Sequence, residues 1–99
     1  MRVLIVDDHR IVASGCRALF ADDPEMEILE ASDAESGERV FGEHHPDICV
    51  LDINLPTVSG FELARRILGR DGSARIIMFS MNDDPVFAAR AIEVGAKGY

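Results

Sequence analysis

Residues 3–8 read VLIVDD, a run of four apolar residues that ends in two adjacent carboxylates. Two similar runs follow along the chain, ICVL at 48–51 and IIMF at 76–79. All three are rich in β-branched or large side chains and show little alternation of polar and apolar residues, which is typical of strands buried on both faces of a sheet. A weaker segment, EILE at 27–30, carries two charges and predicts an edge strand.

Between these runs the apolar residues recur every three or four positions, as they do on the buried side of a helix. Four such segments lie around residues 11–20, 34–44, 61–68 and 87–94. Strand and helix therefore alternate, and the connections are too short for anything but helical crossovers. We predict an α/β fold with a doubly wound parallel sheet that helices cover on both faces.

Capping residues agree with these helices. Ser32 or Asp33 can begin the second helix and Ser59 the third, because short polar side chains accept hydrogen bonds from the first backbone N–H groups. Gly69 and Gly72 stand where the third helix is expected to end.

The composition suits one small globular domain. The chain has 99 residues, of which 47% are hydrophobic and 28% charged. No apolar run approaches the roughly 18 to 20 residues of a membrane span, so we expect no membrane contact and a cytoplasmic location. The net charge of −8 has the wrong sign for neutralising phosphates, which makes duplex DNA a poor direct partner. Cys16 and Cys49 are too few for a disulfide framework and are interpreted as small buried residues.

Polar residues follow the apolar runs at the point where each strand is expected to end. Asp7 and Asp8 follow the first run, Asp52 follows the run at 48–51, and Ser80 follows the last. Ligands of open α/β sheets bind at the carboxyl ends of the strands, where the strand order reverses. Clustered carboxylates repel one another unless a cation offsets the charge, and oxygen ligands without His or Cys suit Mg²⁺. We therefore predict an acidic Mg²⁺ pocket.

Asp52 differs from the other two carboxylates because it ends the most apolar run. A carboxylate fixed in such a setting can act as a nucleophile toward a phosphoryl group. The alternative interpretation is that all three aspartates only cap helices and form turns, since Asp is frequent in both places.

Four motifs resemble, in order and spacing, the receiver domain of bacterial two-component response regulators. They are VLIVDDH at 3–9, VLDINLP at 50–56 with Gly60, IIMFS at 76–80 and GAKGY at 95–99. The His after the acidic pair and the final motif are most similar to the NarL/FixJ subfamily, whose receivers precede a LuxR-type helix-turn-helix output domain. The resemblance covers the whole chain and implies a flavodoxin-like (CheY-like) sheet with strand order 2-1-3-4-5.

The resemblance also implies the metal site. Asp52 would be the phosphoacceptor, and Asp8 and Asp52 would bind Mg²⁺ directly. Asp7 would act largely through water, and the backbone carbonyl of Asn54 would be the third protein ligand.

Two further residues would carry the switch. Ser80 would donate a hydrogen bond to a phosphoryl oxygen, and Tyr99 would be the aromatic residue whose rotamer reports that bond. The resemblance implies a sensor histidine kinase as phosphodonor and a DNA-binding output domain outside this chain. We expect a signalling switch and not an enzyme.

The family's pattern continues beyond Tyr99 with a lysine three residues later and a final helix. Residues 1–99 are therefore expected to form a C-terminally incomplete receiver domain, truncated at the start of strand 5 and without helix 5. Lys97 precedes that strand and is not expected to replace the lysine. An open edge at strand 4 predicts a homodimer or a strand- or domain-swapped assembly.

Two other functions remain open. A Mg²⁺-dependent phosphohydrolase that forms an aspartyl-phosphate would use the same nucleophile, but it would need a second carboxylate two residues after Asp52, where Asn54 stands. An interaction module that dimerises without phosphorylation would not require four polar side chains that this sequence has, namely Asp7, Asp8, Asp52 and Ser80.

Overall fold

The chain forms a parallel sheet with helices packed on it, in a computed structural model that describes residues 1–8, 14–15, 17–18 and 21–79. The strands and helices are, in chain order, β1 (Arg2–Val6), β2 (Glu27–Ala31), α1 (Ala34–His44), β3 (Ile48–Asp52), α2 (Gly60–Arg70) and β4 (Arg75–Phe79). The sheet order is β2-β1-β3-β4, and all neighbours pair in parallel.

The predicted α/β fold and its strand order are confirmed over these strands. Positions 14, 15, 17 and 18 of the first predicted helix are helical. The predicted fifth strand and the helix around residues 87–94 lie outside the described residues.

The strand register divides the side chains between two faces of the sheet. Leu4 pairs with Cys49, and Cys49 pairs with Ile76, so these side chains share the face on which α1 and α2 pack. All three are buried, and burial raises the pKa of the Cys49 thiol to about 12. Cys49 is thus a small core residue, as predicted.

On the opposite face, Ile5 of β1 is buried but Ile77 of β4 is 39% exposed. The prediction that the run at 76–79 is buried on both faces is therefore wrong at Ile77. Helix α2 packs against β4 on the other face, with Ile76 and Met78.

Helix α1 begins after Asp33, not Ser32. The Asp33 carboxylate accepts a hydrogen bond from the Ser36 N–H at 2.8 Å, and the Ser36 hydroxyl oxygen accepts one from the Asp33 N–H at 3.3 Å, which forms a capping box. The helix ends at His44. His45 then adopts a left-handed conformation with φ 47° and donates its N–H to the Phe41 carbonyl at 3.0 Å.

Helix α2 begins after Ser59, as predicted, and the Ser59 hydroxyl accepts from the Glu62 N–H at 3.3 Å. Helix α2 ends at Arg70, between Gly69 and Gly72, so the predicted end of the helix is confirmed, but Asp71 and neither glycine stands at the C-cap. The chain leaves the helix at Asp71, whose side chain accepts from the Ser73 N–H at 3.0 Å and forms a competing local turn.

Arg2 joins several elements at the amino-terminal end of the sheet. Its backbone N–H donates to Asp47 Oδ2 at 2.7 Å, and its guanidinium donates to Glu27 Oε2 at 3.0 Å and to the His44 carbonyl at 2.9 Å. These bonds connect β1 to β2, to the end of α1 and to the segment that leads into β3.

Strand β2 lies at the outer edge of the sheet, as predicted. Arg17 donates to the Ile28 carbonyl at 3.0 Å and to Glu30 Oε1 at 2.8 Å, so a charged side chain covers part of that edge. None of the helices that the structure describes is long and apolar enough to cross a membrane.

Candidate functional site

The three predicted carboxylates meet at the carboxyl edge of the sheet. Asp7 and Asp8 follow β1, and Asp52 is the last residue of β3. Strand β1 lies between β2 and β3 in the sheet, so the strand order reverses between β1 and β3. One carboxylate oxygen from each residue lies within 4.8 Å of the others. The backbone extends the β ladder beyond β1, because the Asp7 N–H donates to the Ala31 carbonyl at 3.0 Å.

Burial differs among the three side chains. Asp7 is 7% exposed and Asp52 is 5% exposed, whereas Asp8 faces solvent. Desolvation by burial raises the pKa of Asp52 above its ordinary value of 3.8, and the charge of Asp7, the hydrogen bond that the two carboxyl groups share, and the charge of Asp8 raise it further. The hydrogen bond from the Asn54 N–H lowers the pKa of Asp52. The net shift is upward, so the cluster favours a proton or a cation.

Asn54 fixes the orientation of the Asp52 side chain. Its backbone N–H donates to Asp52 Oδ1 at 3.0 Å. Sequence reasoning assigned a role to the Asn54 carbonyl and missed this amide. The signal was available, because Asp side chains commonly accept a hydrogen bond from the backbone two residues later.

The end of β4 lies beside Asp52. Asp52 and Phe79 are partners in the sheet register, and the Ile53 N–H donates to the Phe79 carbonyl at 3.0 Å. Ser80 follows Phe79 in the sequence, but Ser80 and Tyr99 lie outside the described residues, as does Lys97.

The donor set fits a hard divalent cation. Within the described part of the chain, the cluster offers carboxylate oxygens and neither His nor Cys. Mg²⁺ prefers oxygen ligands and is commonly held by one or two carboxylates, with water and phosphate oxygens completing its shell. A divalent cation would also offset the repulsion among the three carboxylates, two of which are buried.

Comparison with known proteins identifies the family. Residues 3–99 match the response regulator receiver domain family. The chain belongs to this family. The receiver resemblance and the CheY-like fold predicted from the sequence are thereby confirmed.

A solved structure and curated relatives show the same likeness. The crystal structure of a two-component response regulator of the LuxR family from Aurantimonas sp. SI85-9A1 is 43% identical and superimposes with a TM-score of 0.91, over 99% of this chain and 71% of that one. The transcriptional regulatory protein YdfI of Bacillus subtilis (strain 168) is 35% identical over 99 residues, which are 99% of this chain and 46% of YdfI. The nitrate/nitrite response regulator protein NarL of Escherichia coli (strain K12) is 31% identical over 98 residues, 98% of this chain and 45% of NarL.

The chain spans about half the length of the curated relatives it matches. Receiver domains of response regulators are signalling switches and not enzymes in the usual sense. They bind Mg²⁺ at a cluster of acidic residues, and response regulators partner with sensor histidine kinases and often bind DNA through an output domain.

Proposed function

We propose that this receiver domain is a phosphorylation switch in which Asp52 accepts a phosphoryl group from a sensor histidine kinase. One observation carries the proposal: the Asp52 carboxylate is buried, held by the Asn54 N–H, and faces two further carboxylates within 4.8 Å. A fixed, desolvated carboxylate beside a cluster that attracts a cation has the properties of a phosphoryl acceptor.

We propose Asp7, Asp8, Asp52 and the backbone carbonyl of Asn54 as the Mg²⁺ site. Mg²⁺, when bound, neutralises charge on the transferring phosphoryl oxygens. The protein's own contribution is orientation, because the Asn54 N–H holds one Asp52 oxygen. Burial also keeps competing water away from the reacting carboxylate.

The transfer forms one bond and breaks another. An Asp52 carboxylate oxygen bonds to phosphorus as the P–N bond of the kinase's phosphohistidine breaks, and the imidazole nitrogen keeps the electron pair. Water later hydrolyses the acyl phosphate, which releases inorganic phosphate and regenerates the carboxylate. The new phosphoryl oxygens add charge and hydrogen-bond acceptors at the edge of the sheet.

The response to that charge belongs to the same proposal. Ser80 would donate a hydrogen bond to a phosphoryl oxygen, and Tyr99 would change rotamer as Ser80 moves, on the strength of the family resemblance. Residues 1–99 would act as one receiver unit in the cytoplasm and control a DNA-binding output domain. A homodimeric or strand- or domain-swapped state is also proposed, and the exposed Ile77 side chain on β4 supports it.

Intact-mass spectrometry tests the assignment of Asp52. The wild-type chain treated with acetyl phosphate and Mg²⁺ is expected to gain one phosphoryl group, and Asp52→Asn is expected to gain none. Asp47→Asn removes a carboxylate at the opposite end of the sheet, beside Arg2, and should be labelled like the wild type. Labelling at a residue other than Asp52, or no labelling, overturns the proposal. Turnover of added phosphoester substrates would favour a phosphohydrolase, and dimerisation without any labelling would favour an interaction module.

A further inference from the structure

Gly60, the first residue of α2, lies directly against the backbone of Asp52. A Cβ atom at this position would stand 2.0 Å from the Asp52 carbonyl oxygen, 2.8 Å from its carbonyl carbon and 3.0 Å from the Ile53 Cα. Real Cβ atoms essentially never approach other heavy atoms closer than 3.0 Å. All three neighbours are backbone atoms, so they cannot rotate away as the end of a side chain can.

Contact, and not backbone conformation, excludes a larger residue at Gly60. Among the described non-glycine residues, only His45 and Thr57 have a positive φ. The φ of Gly60 lies outside the left-handed range. A residue with a side chain could therefore adopt the dihedral angles of Gly60. What it could not do is occupy the space that the Asp52 carbonyl fills.

The same glycine closes the loop that follows the acceptor strand. The Gly60 N–H donates to the Ile53 carbonyl at 2.9 Å, so the first residue of α2 is bonded to the first residue of the loop. Inside the loop, the Asn54 N–H holds Asp52 Oδ1, and the Ile53 N–H is bonded to Phe79. Ile53 is 3% exposed, so the backbone around Asp52 has little room to move.

The other two carboxylates of the cluster stand on a different strand. Asp7 and Asp8 follow β1, while Asp52 ends β3 and is in contact with the start of α2 through Gly60. A displacement of the Asp52 backbone therefore changes the spacing of its carboxylate from Asp7 and Asp8. To reach 3.0 Å from an added methyl group, the Asp52 carbonyl oxygen would have to retreat by about 1 Å. Functional groups must usually be held within about 0.5 Å of their working position.

We propose that Gly60 is a positioning residue for the phosphoacceptor: its missing side chain lets α2 fix the backbone of Asp52 at the distance from Asp7 and Asp8 that a shared Mg²⁺ requires. This inference rests on the proposed function of Asp52. Gly60→Ala is expected to weaken Mg²⁺ binding by about 10- to 100-fold, the range observed when residues that orient metal ligands are changed. Phosphorylation by acetyl phosphate should slow by a similar factor at a fixed, subsaturating Mg²⁺ concentration.

Gly69→Ala is the matched control. Gly69 lies in the same helix, and a Cβ atom there meets nothing within 4 Å. Mg²⁺ affinity is measured by isothermal titration calorimetry in the absence of any phosphodonor, the phosphorylation rate by mass spectrometry, and folding by urea denaturation. We expect Gly69→Ala to keep the wild-type Mg²⁺ affinity and rate, whereas Gly60→Ala loses both while it remains folded in the absence of urea.

The outcomes separate this inference from the proposed function. If the wild type neither binds Mg²⁺ nor accepts phosphate, the function of Asp52 is overturned. If the wild type is phosphorylated and Gly60→Ala matches Gly69→Ala, only the positioning role is overturned. If Gly60→Ala does not fold, a glycine at position 57 gives the loop more conformational freedom. The double variant Thr57→Gly/Gly60→Ala is then compared with Thr57→Gly alone. Equal Mg²⁺ affinity in that pair would also overturn the positioning role.

Discussion

Replacing Asp52 with Asn is expected to stabilise the metal-free protein. Two unit charges 4.8 Å apart repel by about 3.5 kcal/mol at an effective dielectric constant of about 20, and by about 0.9 kcal/mol in water. Asp52 faces the buried Asp7 and the solvent-exposed Asp8, so its interactions fall between these limits. Proton uptake by Asp52, whose pKa is raised, limits the repulsion. We expect Asp52→Asn to raise the free energy of unfolding by about 1 to 3 kcal/mol near neutral pH.

The stabilisation should depend on pH with a definite sign. Because the folded protein raises the pKa of Asp52 above its ordinary value of 3.8, ionising this residue costs more in the folded state than in the unfolded state. The wild type therefore loses stability as the pH rises through the folded-state pKa, and the asparagine variant does not. The difference in free energy of unfolding between the two proteins should vanish at pH values below the ordinary pKa and reach its maximum at pH values above the folded-state pKa.

Urea denaturation in EDTA, at about pH 3.5 and about pH 7.5, measures this difference as the free energy of unfolding. Asp47→Asn is the control, because its carboxylate accepts a hydrogen bond from the Arg2 N–H at 2.7 Å and its loss should not stabilise the protein. Added Mg²⁺ should stabilise the wild type more than Asp52→Asn. A variant that is no more stable than the wild type near neutral pH, or a gain that persists at the acidic pH, would refute the explanation by charge repulsion.

Two further predictions concern the loop after β3 and helix α1. Thr57 has a φ of 69°, a left-handed conformation that costs a branched residue about 1 to 2 kcal/mol. Replacement with glycine removes this strain, but the greater conformational entropy of glycine in the unfolded chain offsets about 0.5 to 1 kcal/mol of the gain. Thr57→Gly should therefore raise the free energy of unfolding by about 0.5 to 1 kcal/mol in urea denaturation, and an equal gain in Thr57→Ala, which keeps the Cβ atom, would contradict relief of strain. Asp33→Ala removes the cap of α1 and should cost about 1 kcal/mol near neutral pH, with the exposed Asp22→Ala as control. Since Ser36 lowers the pKa of Asp33, that loss should shrink as the pH falls through the lowered pKa, and a loss unchanged in acid would exclude the charged cap as its cause.

Much of the fold follows from local sequence patterns. The apolar runs predict β1, β3 and β4, because a strand buried in a parallel sheet leaves few positions for polar residues. Once the strand order is known, the rule for open α/β sheets brings Asp7, Asp8 and Asp52 to one edge. The first step needs only the order of residues along the chain, whereas the second also needs the strand order that the family resemblance implies. The structure agrees with both.

Details that depend on distances across the fold were not predictable in this way. Composition gives no reason to expect Thr57 at positive φ, since branched residues are disfavoured there. The sequence does not show that the nearest neighbour of Gly60 is the Asp52 carbonyl. Nor does the sequence show that Asp71, and not Gly69 or Gly72, stands at the C-cap of α2, where its side chain accepts a hydrogen bond from the Ser73 N–H.

The hydrogen bonds of Arg2 hold the amino-terminal end of the sheet together. They tie β1 to Glu27, to the His44 carbonyl and to Asp47, all at the end opposite the acidic cluster. We therefore expect movements that follow the proposed phosphorylation of Asp52 to occur in the loops at the carboxyl edge. A spectroscopic label attached near Asp47 would serve as a stationary reference, and a second label on the exposed Pro56 would measure the displacement of the loop against it.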